Sequence, residues 1–187
     1  MKIHLKHALI PQALSPRLVV LVTSVDREGR PNIIPLSWVM PTSFEPPLIA
    51  ISVGTKRFSH NLIESSGEFV VNLPTRHLLN EVMFCGSHSG KSVNKFKETG
   101  LTPLKSEKVK PPRIKECVAH LECKLVNKLR TGDHTIFVGE VIASSCDEEV
   151  FDEKLNILNL NRVKPLYHRG GPSLRYFATI GEMFEAK

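Results

Sequence analysis

Residues 32–61, NIIPLSWVMPTSFEPPLIAISVGTKRFSHN, constrain the fold of this chain more than any other stretch. Two apolar runs, residues 32–39 and 47–53, carry the alternating or continuous hydrophobic pattern of strands that are half or wholly buried. A Pro/Ser-rich turn joins them. Polarity then changes at once: Gly54, Thr55, Lys56, Arg57 and Ser59 bring hydroxyls, cations and backbone N–H groups to the point where a strand ends and a helix begins. Such a junction suits an anion, because unpaired N–H groups and positive side chains converge there. The same residues also read as an ordinary helix start, with Ser59 as N-cap, Leu62 and Ile63 toward the core and Gly67 as terminator. Local sequence leaves both readings open, and the first predicts a phosphorylated ligand.

The flanking chain supplies further strands. Residues 18–25 form an apolar run, and the following DREGR turn offers Gly29 for positive φ, which predicts an antiparallel hairpin with residues 32–39. After the helix near Ser59 comes a strand, EFVVNL, ended by Pro74. Leu78, Leu79, Val82 and Met83 predict a helix over residues 76–84 with one buried face. In CVAHLECKLVNKL, Cys117, Ala119, Leu121, Cys123 and Leu125 share one face. His120, Glu122, Lys124 and Lys128 share the other, so the spacing predicts one buried and one wet face. Gly132 and Asp133 turn the chain into a partner strand, where Ile136, Val138 and Ile142 alternate with Phe137, Val141 and Ala143. The helices are short and wrongly spaced for repeated βαβ units, and no G-x-G-x-x-G follows a strand. The expected architecture is mainly β: one domain over residues 1–187, an antiparallel Greek-key barrel of about six strands with short helices at its ends.

Composition excludes several function classes. With 187 residues, 41% hydrophobic and 24% charged, the chain can bury a sizeable core. Pro11 and Gln12 interrupt the apolar N-terminal run and no later run reaches transmembrane length, so a cytoplasmic protein is expected. Cys85, Cys117, Cys123 and Cys146 show neither C-x-x-C pairing nor clustered Cys/His spacing, so reduced thiols and no metal site are expected. Cys85, in the polar FCGSHSGKS segment, is either a core residue at a helix end or a neighbour of a ligand. The net charge of +6, with Lys105, Lys108, Lys110, Arg113 and Lys115 crowded together, raises a basic barrel binding nucleic acid as an alternative. That stretch also holds acids and prolines and reads as a solvated loop, and no RNP1-like, zinc-finger or helix-turn-helix pattern accompanies it. The string Ser89-Gly90-Lys91-Ser92 is not a Walker A loop, because Gly86 stands one residue too close. It reads as an anion nest or as a capped surface helix.

The order of motifs carries a resemblance. N-x-x-P-x-S from Asn32, P-P-L-I-x-x-S-V from Pro46, K-R-x-S-x-N from Lys56 and G-E-F-V-V-N-L from Gly67 together resemble the flavin reductase-like, FMN-binding split-barrel family, which includes flavoredoxins and archaeal ferric reductases. The similarity continues through S-G-[RK]-x-x-[DN]-K-F (Ser89, Gly90, Lys91, Asn94, Lys95, Phe96), G-D-H-x-x-x-x-G-x-V from Gly132 and the closing PLYHRGGPSLRYFATIG. It implies a split barrel with bound FMN. Ser52, Lys56, Arg57, Ser59 and the Ser89–Lys95 segment, with Gly90, Lys91 and Lys95, would serve the phosphate; Asn61, Cys85 and Gly86 would also bind the cofactor, and Phe96 would be a packing residue. Pro35, Leu36, Ser37, Trp38 and Val39 would line the ring, with backbone N–H groups near Ser37 and Trp38 facing the negative charge of the reduced flavin. His134 is implied as a proton donor or orienting group, and Tyr167, His168 and Tyr176 as residues lying over the flavin or a partner subunit. The activity implied is an NAD(P)H-dependent flavin or ferric reductase; a flavoredoxin-like carrier reduced by a protein partner is the alternative. The resemblance also implies a homodimer that completes the site, nicotinamide with flavin or ferric-chelate substrates, and no membrane or nucleic-acid partner.

Overall fold

The computed structural model describes residues 4, 7–170 and 176–181. A 3-10 segment, His7–Leu14, leads into β1 (Arg17–Leu18), β2 (Val20–Val25), β3 (Pro31–Leu36), β4 (Val39–Ser43) and β5 (Leu48–Gly54). Helix α1 (Phe58–Ser66), β6 (Glu68–Leu73), α2 (Leu79–Ser87) and α3 (Lys95–Thr99) follow, then the short pair β7 (Pro103–Leu104) and β8 (Arg113–Ile114). The long hairpin β9 (Ala119–Thr131) and β10 (His134–Cys146) precedes β11 (Phe151–Asp152), β12 (Ile157–Leu158), α4 (Leu160–Val163), β13 (Tyr167–His168) and β14 (Phe177–Ala178). The main sheet has seven antiparallel strands in the order β3-β2-β6-β9-β10-β5-β4, and a smaller sheet has the order β1-β13-β14.

The two edges of the main sheet, β3 and β4, are consecutive in the chain and joined only by Ser37 and Trp38. From Leu36 to Val39 the backbone reaches at most ~11 Å, whereas seven strands laid flat would hold the edges about 28 Å apart. The sheet therefore curls until its edges meet. The result is a barrel split along the seam between β3 and β4.

The apolar pattern explains the two cores. Val20 and Val22 of β2 point into the barrel with Ile51, Val53, Phe69, Cys123 and Phe137, and Ile63 of α1 joins them. Val19 and Leu21 point the other way, against Val82 and Cys85 of α2, Phe96 of α3, Ile114 and Leu166. Both faces of β2 are covered, which is why its sequence is apolar almost throughout. Phe69 and Phe137 are fully buried, each contributing about 2–3 kcal/mol of burial. Gly67 closes α1 in the left-handed region, φ 67°, where a residue without Cβ avoids the steric penalty.

Several expectations are corrected. The strand over residues 18–25 breaks at Val19, whose N–H donates to the Leu166 carbonyl (2.8 Å), so Arg17 and Leu18 pair with β13 instead. The strand over residues 32–39 ends at Leu36, and the supposed Pro/Ser-rich turn contains β4. Pro41 is tolerated there because β4 is an edge strand. The helix over residues 76–84 is a 3-10 turn, Arg76–Leu78, followed by α2, with Val82 and Cys85 buried. The wet face of β9 holds for Lys124 and Lys128 and fails for its first half: His120 and Glu122 are 6% and 2% exposed. The segment between α3 and β9 folds over them. The Glu122 carboxylate accepts the N–H groups of Glu107 (2.9 Å) and Lys108 (2.7 Å), and His120 Nε2 donates to the Ile114 carbonyl (2.9 Å). This basic segment is a packed flap: its lysines remain in solvent while Ser106, Pro111 and Ile114 are buried beneath.

All four cysteines are free; Cys85, Cys117 and Cys123 are buried and Cys146 is exposed. Burial pushes the Cys85 thiol up to about 11 and that of Cys123 to about 12. Among the described residues no helix is long and apolar enough to cross a membrane, and no cluster of His, Cys, Asp and Glu could hold a metal ion.

Candidate functional site

A cavity of about 720 Å³ opens at the seam, within the roughly 300–1,000 Å³ usual for small-molecule sites. The structure brings most of the residues singled out in the sequence to its wall. Pro35, Leu36, Ser37 and Trp38 come from the seam, Ser52 from β5, and Lys56, Arg57 and Ser59 from the turn into α1. Cys85, Gly86, Ser89, Gly90 and Lys95 come from α2, the turn after it and α3; His134 comes from the start of β10 and His168 from β13.

Val39, Asn61, Lys91 and Tyr176 lie outside this lining. Val39 packs against the barrel core, Asn61 and Lys91 are exposed, and Tyr176 borders a separate shallow hollow with Arg169 and Gly170. Residues 171–175 of the closing motif lie outside the described residues. Asn32, Phe58, Met83, His88 and Phe177 line the cavity without having been anticipated as site residues. Only Asn32 left a signal, as an amide inside an apolar strand.

One end of the cavity is cationic. Helix α1 begins at Phe58 with Arg57 as its N-cap residue and no side-chain cap. Ser59 is therefore in the first turn rather than at the cap, and its buried Oγ accepts a hydrogen bond from Asn32 Nδ2 (2.7 Å). Asn32 Oδ1 is buried without a partner, directly against Gly90, where a Cβ would overlap it. Lys95 is 4% exposed; its Nζ donates to the carbonyls of Ile33 (2.7 Å) and Cys85 (2.6 Å), which leaves one ammonium N–H. Burial, with Arg57 nearby, lowers its pKa. Lys56 and Arg57 add exposed charge at the mouth, and no carboxylate lines the cavity among the described residues.

His134 belongs to this end. Its ring lies over Trp38 with centroids 4.7 Å apart, and its Nδ1 is 2.7 Å from Asp133 Oδ1. That hydrogen bond holds the Asp133 carboxyl below the usual carboxylate range. A Cβ on Gly54 would stand 3.5 Å from His134 Nε2 and 3.6 Å from Arg57 Cγ, so the histidine and the arginine stem share one corner.

The other end is apolar. Asn32 and Leu36 are four residues apart on β3, about 13 Å along a strand. Val19, Leu36, Val82, Met83 and Phe177 supply the apolar lining. His168 is the polar exception. It is held by pairing with Arg17 and Phe177, its ring 5.4 Å from that of Phe177, and burial followed by the Arg17 charge lowers its pKa.

The fold and site together define a class: a split antiparallel barrel with a seam cavity that is cationic at one end and apolar at the other. The family model described as a flavin reductase like domain matches residues 13–172, and the chain belongs to that family. It is 43% identical over 141 residues to a protein of Archaeoglobus fulgidus, covering 75% of this chain and 78% of that one. Among solved structures it is similar to flavoredoxin of Desulfovibrio vulgaris (Miyazaki F), with TM-score 0.88 and 28% identity over 100% of this chain and 97% of that one. It is also similar to the FMN-binding protein of Thermus thermophilus with bound 1-cyclohex-2-enone, with TM-score 0.85 and 26% identity over 100% of each chain.

Proposed function

We propose that the protein binds FMN in the seam cavity and works as an oxidoreductase that draws electrons from NAD(P)H and passes them to a flavin or ferric acceptor. The observation that carries this reading is the carboxylate-free cationic end, built on the buried Lys95 and Ser59, beside an apolar slot. Lys56, Arg57, Ser59, Ser89, Gly90 and Lys95 hold the phosphate. Pro35, Leu36, Ser37 and Trp38 flank the ring, with Ser52, Cys85, Gly86 and His168 completing the wall. No ligand contact is assigned to Val39, Asn61, Lys91 or Tyr176.

The bound flavin supplies the two-electron chemistry, so the chain needs neither a nucleophile nor a metal. The chain's part is binding and charge placement. Neither the Ser37 nor the Trp38 N–H donates to another backbone group among the described residues, so both are free to face negative charge at the ring's polar edge.

A homodimer is part of this reading. Met40, Ala50 and Val138 stand side by side across β4, β5 and β10, and the next row on the same face holds Ser52, Ile136 and Leu129. Met40 and Leu129 are 57% and 62% exposed, with Trp38 at 41% alongside. This apolar face borders the cavity through Ser52 and suits a second copy. Met40→Asp with Leu129→Asp is expected to give monomers by light scattering.

The likeness to flavoredoxin favours a second reading, an electron carrier served by a protein donor. Anaerobic absorbance after FMN addition and desalting, followed by NADH and then NADPH, separates them. Retained flavin that bleaches supports the reductase; retained flavin that stays oxidised supports the carrier; loss of flavin on desalting refutes tight binding.

A further inference from the structure

His134 is oriented from outside the cavity. Asp133 does not line the cavity, and its side chain is 93% exposed, yet its Oδ1 holds His134 Nδ1 at 2.7 Å. A carboxylate only accepts, so this contact places a proton on Nδ1. Nε2 is then the atom turned toward Gly54 and Arg57. The Asp133 carbonyl also accepts from Thr55 N–H (3.0 Å) and Thr55 Oγ1 (3.1 Å). The turn bearing the Asp133–His134 pair is thereby fastened to the turn bearing Lys56 and Arg57.

We propose that Asp133 is a positioning residue: it commits His134 to a ring protonated at Nδ1, so that His134 holds the ligand's phosphate only by taking a second proton at Nε2. This rests on reading the cationic end as the phosphate site. With Nδ1–H given to Asp133, the neutral ring offers a phosphate oxygen a lone pair and is repelled. A proton at Nε2 turns the same atom into a charge-assisted donor. The charged groups around the ring are Asp133 and Arg130 on the hairpin and Lys56 and Arg57 on the turn into α1, while Trp38 presents a π face that favours a cation. Of the charges in play, the ligand's dianion is the one that would meet Nε2 directly, and a proton there makes that contact an ion pair. No covalent bond to carbon or phosphorus changes; one proton passes from solvent to Nε2 on binding and returns on release.

The test titrates apoprotein with FMN at about pH 8, where the free phosphate is a dianion, in buffers of different ionisation enthalpy. Riboflavin is the phosphate-free control, and nitrogen-15 histidine NMR reads the tautomer. Expected are an Nδ1–H tautomer for His134 in the free protein, uptake of about one proton per FMN and none with riboflavin. Asp133→Asn keeps an acceptor without the charge and should weaken FMN on the order of tenfold, leaving riboflavin affinity and Tm unchanged; His134→Gln should abolish proton uptake. An Nε2–H tautomer, or preference for FMN over riboflavin without proton uptake, overturns the inference and leaves the phosphate reading standing. Equal affinity for FMN and riboflavin overturns both.

Discussion

Replacing Gly90 with alanine probes the packing that builds the cationic end. The new Cβ would overlap Asn32 Oδ1, lie 2.6 Å from Asn32 Cγ and 3.1 Å from Phe58 Cδ1. Gly90 is not among the glycines with positive φ, so the cost is steric and not conformational. Asn32 has nowhere to go: it is 3% exposed and bonded to Ser59 at 2.7 Å. Overpacking costs about 1–3 kcal/mol, and driving Asn32 off Ser59 adds about 1 kcal/mol. A total near 3 kcal/mol corresponds to a fall in Tm of roughly 6–12 °C for a chain of this size. The assay is thermal unfolding without flavin of the wild type, Gly90→Ala, Asn32→Ala and the double variant. Removing the Asn32 amide removes the clash, so Gly90→Ala should cost under about 1 kcal/mol in that background, an interaction of about 2 kcal/mol. An equal cost in both backgrounds, or a wild-type shift below about 2 °C, would refute the packing argument.

Three further outcomes follow from the same structure. Arg57→Ala should weaken FMN roughly tenfold, as loss of a partly exposed charged hydrogen bond, and Lys91→Ala less than about twofold, since Lys91 is outside the lining; equal losses in fluorescence titrations would move the phosphate onto the Ser89–Lys91 turn. Glu122→Gln removes the buried charge that faces Arg113 and leaves one oxygen to accept the Glu107 and Lys108 N–H groups, and should cost about 2 kcal/mol by urea unfolding with FMN affinity intact; a change confined to FMN binding would contradict the anchoring role of Glu122. Burial lowers the pKa of His120 from 6.5, with the Ile114 carbonyl opposing. The unfolded chain therefore takes up a proton that the folded chain refuses, and this share of stability, present above pH 6.5, is lost as pH falls through it toward the folded value. The urea midpoint should fall less on acidification in His120→Gln than in the wild type, and parallel profiles would count against it.

The barrel strands were legible because their apolar runs are long and bounded by turn residues, as in β2, β6 and the β9–β10 hairpin. Periodicity failed where a second layer lies beyond one strand's horizon. His120 and Glu122 look like solvent residues in β9, and only the flap fourteen or so residues away in sequence, held through Glu107 and Lys108, makes them buried. The β4 strand was hidden by Pro41, which marks a turn in most contexts and an edge strand in this one, while Pro46 stands in the turn that follows. At the site, the residue types were readable and their bonding was not. Lys95 reads as a phosphate cation, yet two of its donors go to the backbone carbonyls of Ile33 and Cys85. Ser59 reads as a cap, yet the helix begins one residue earlier, at Phe58, with Arg57 at the N-cap position and no side-chain cap, and the Ser59 hydroxyl accepts from Asn32. Asn32, alone in an apolar strand, was the signal that went unused.

The Ser37–Trp38 link has a consequence for how such a protein changes its chemistry. These residues stand between two sheet edges and belong to neither β3 nor β4, so substitutions there disturb no pairing register. They also form part of the cavity wall. Drift at these positions can reshape the cavity wall while the rest of the barrel is inherited unchanged, so differences in what the cavity admits among relatives of this chain should concentrate at the seam.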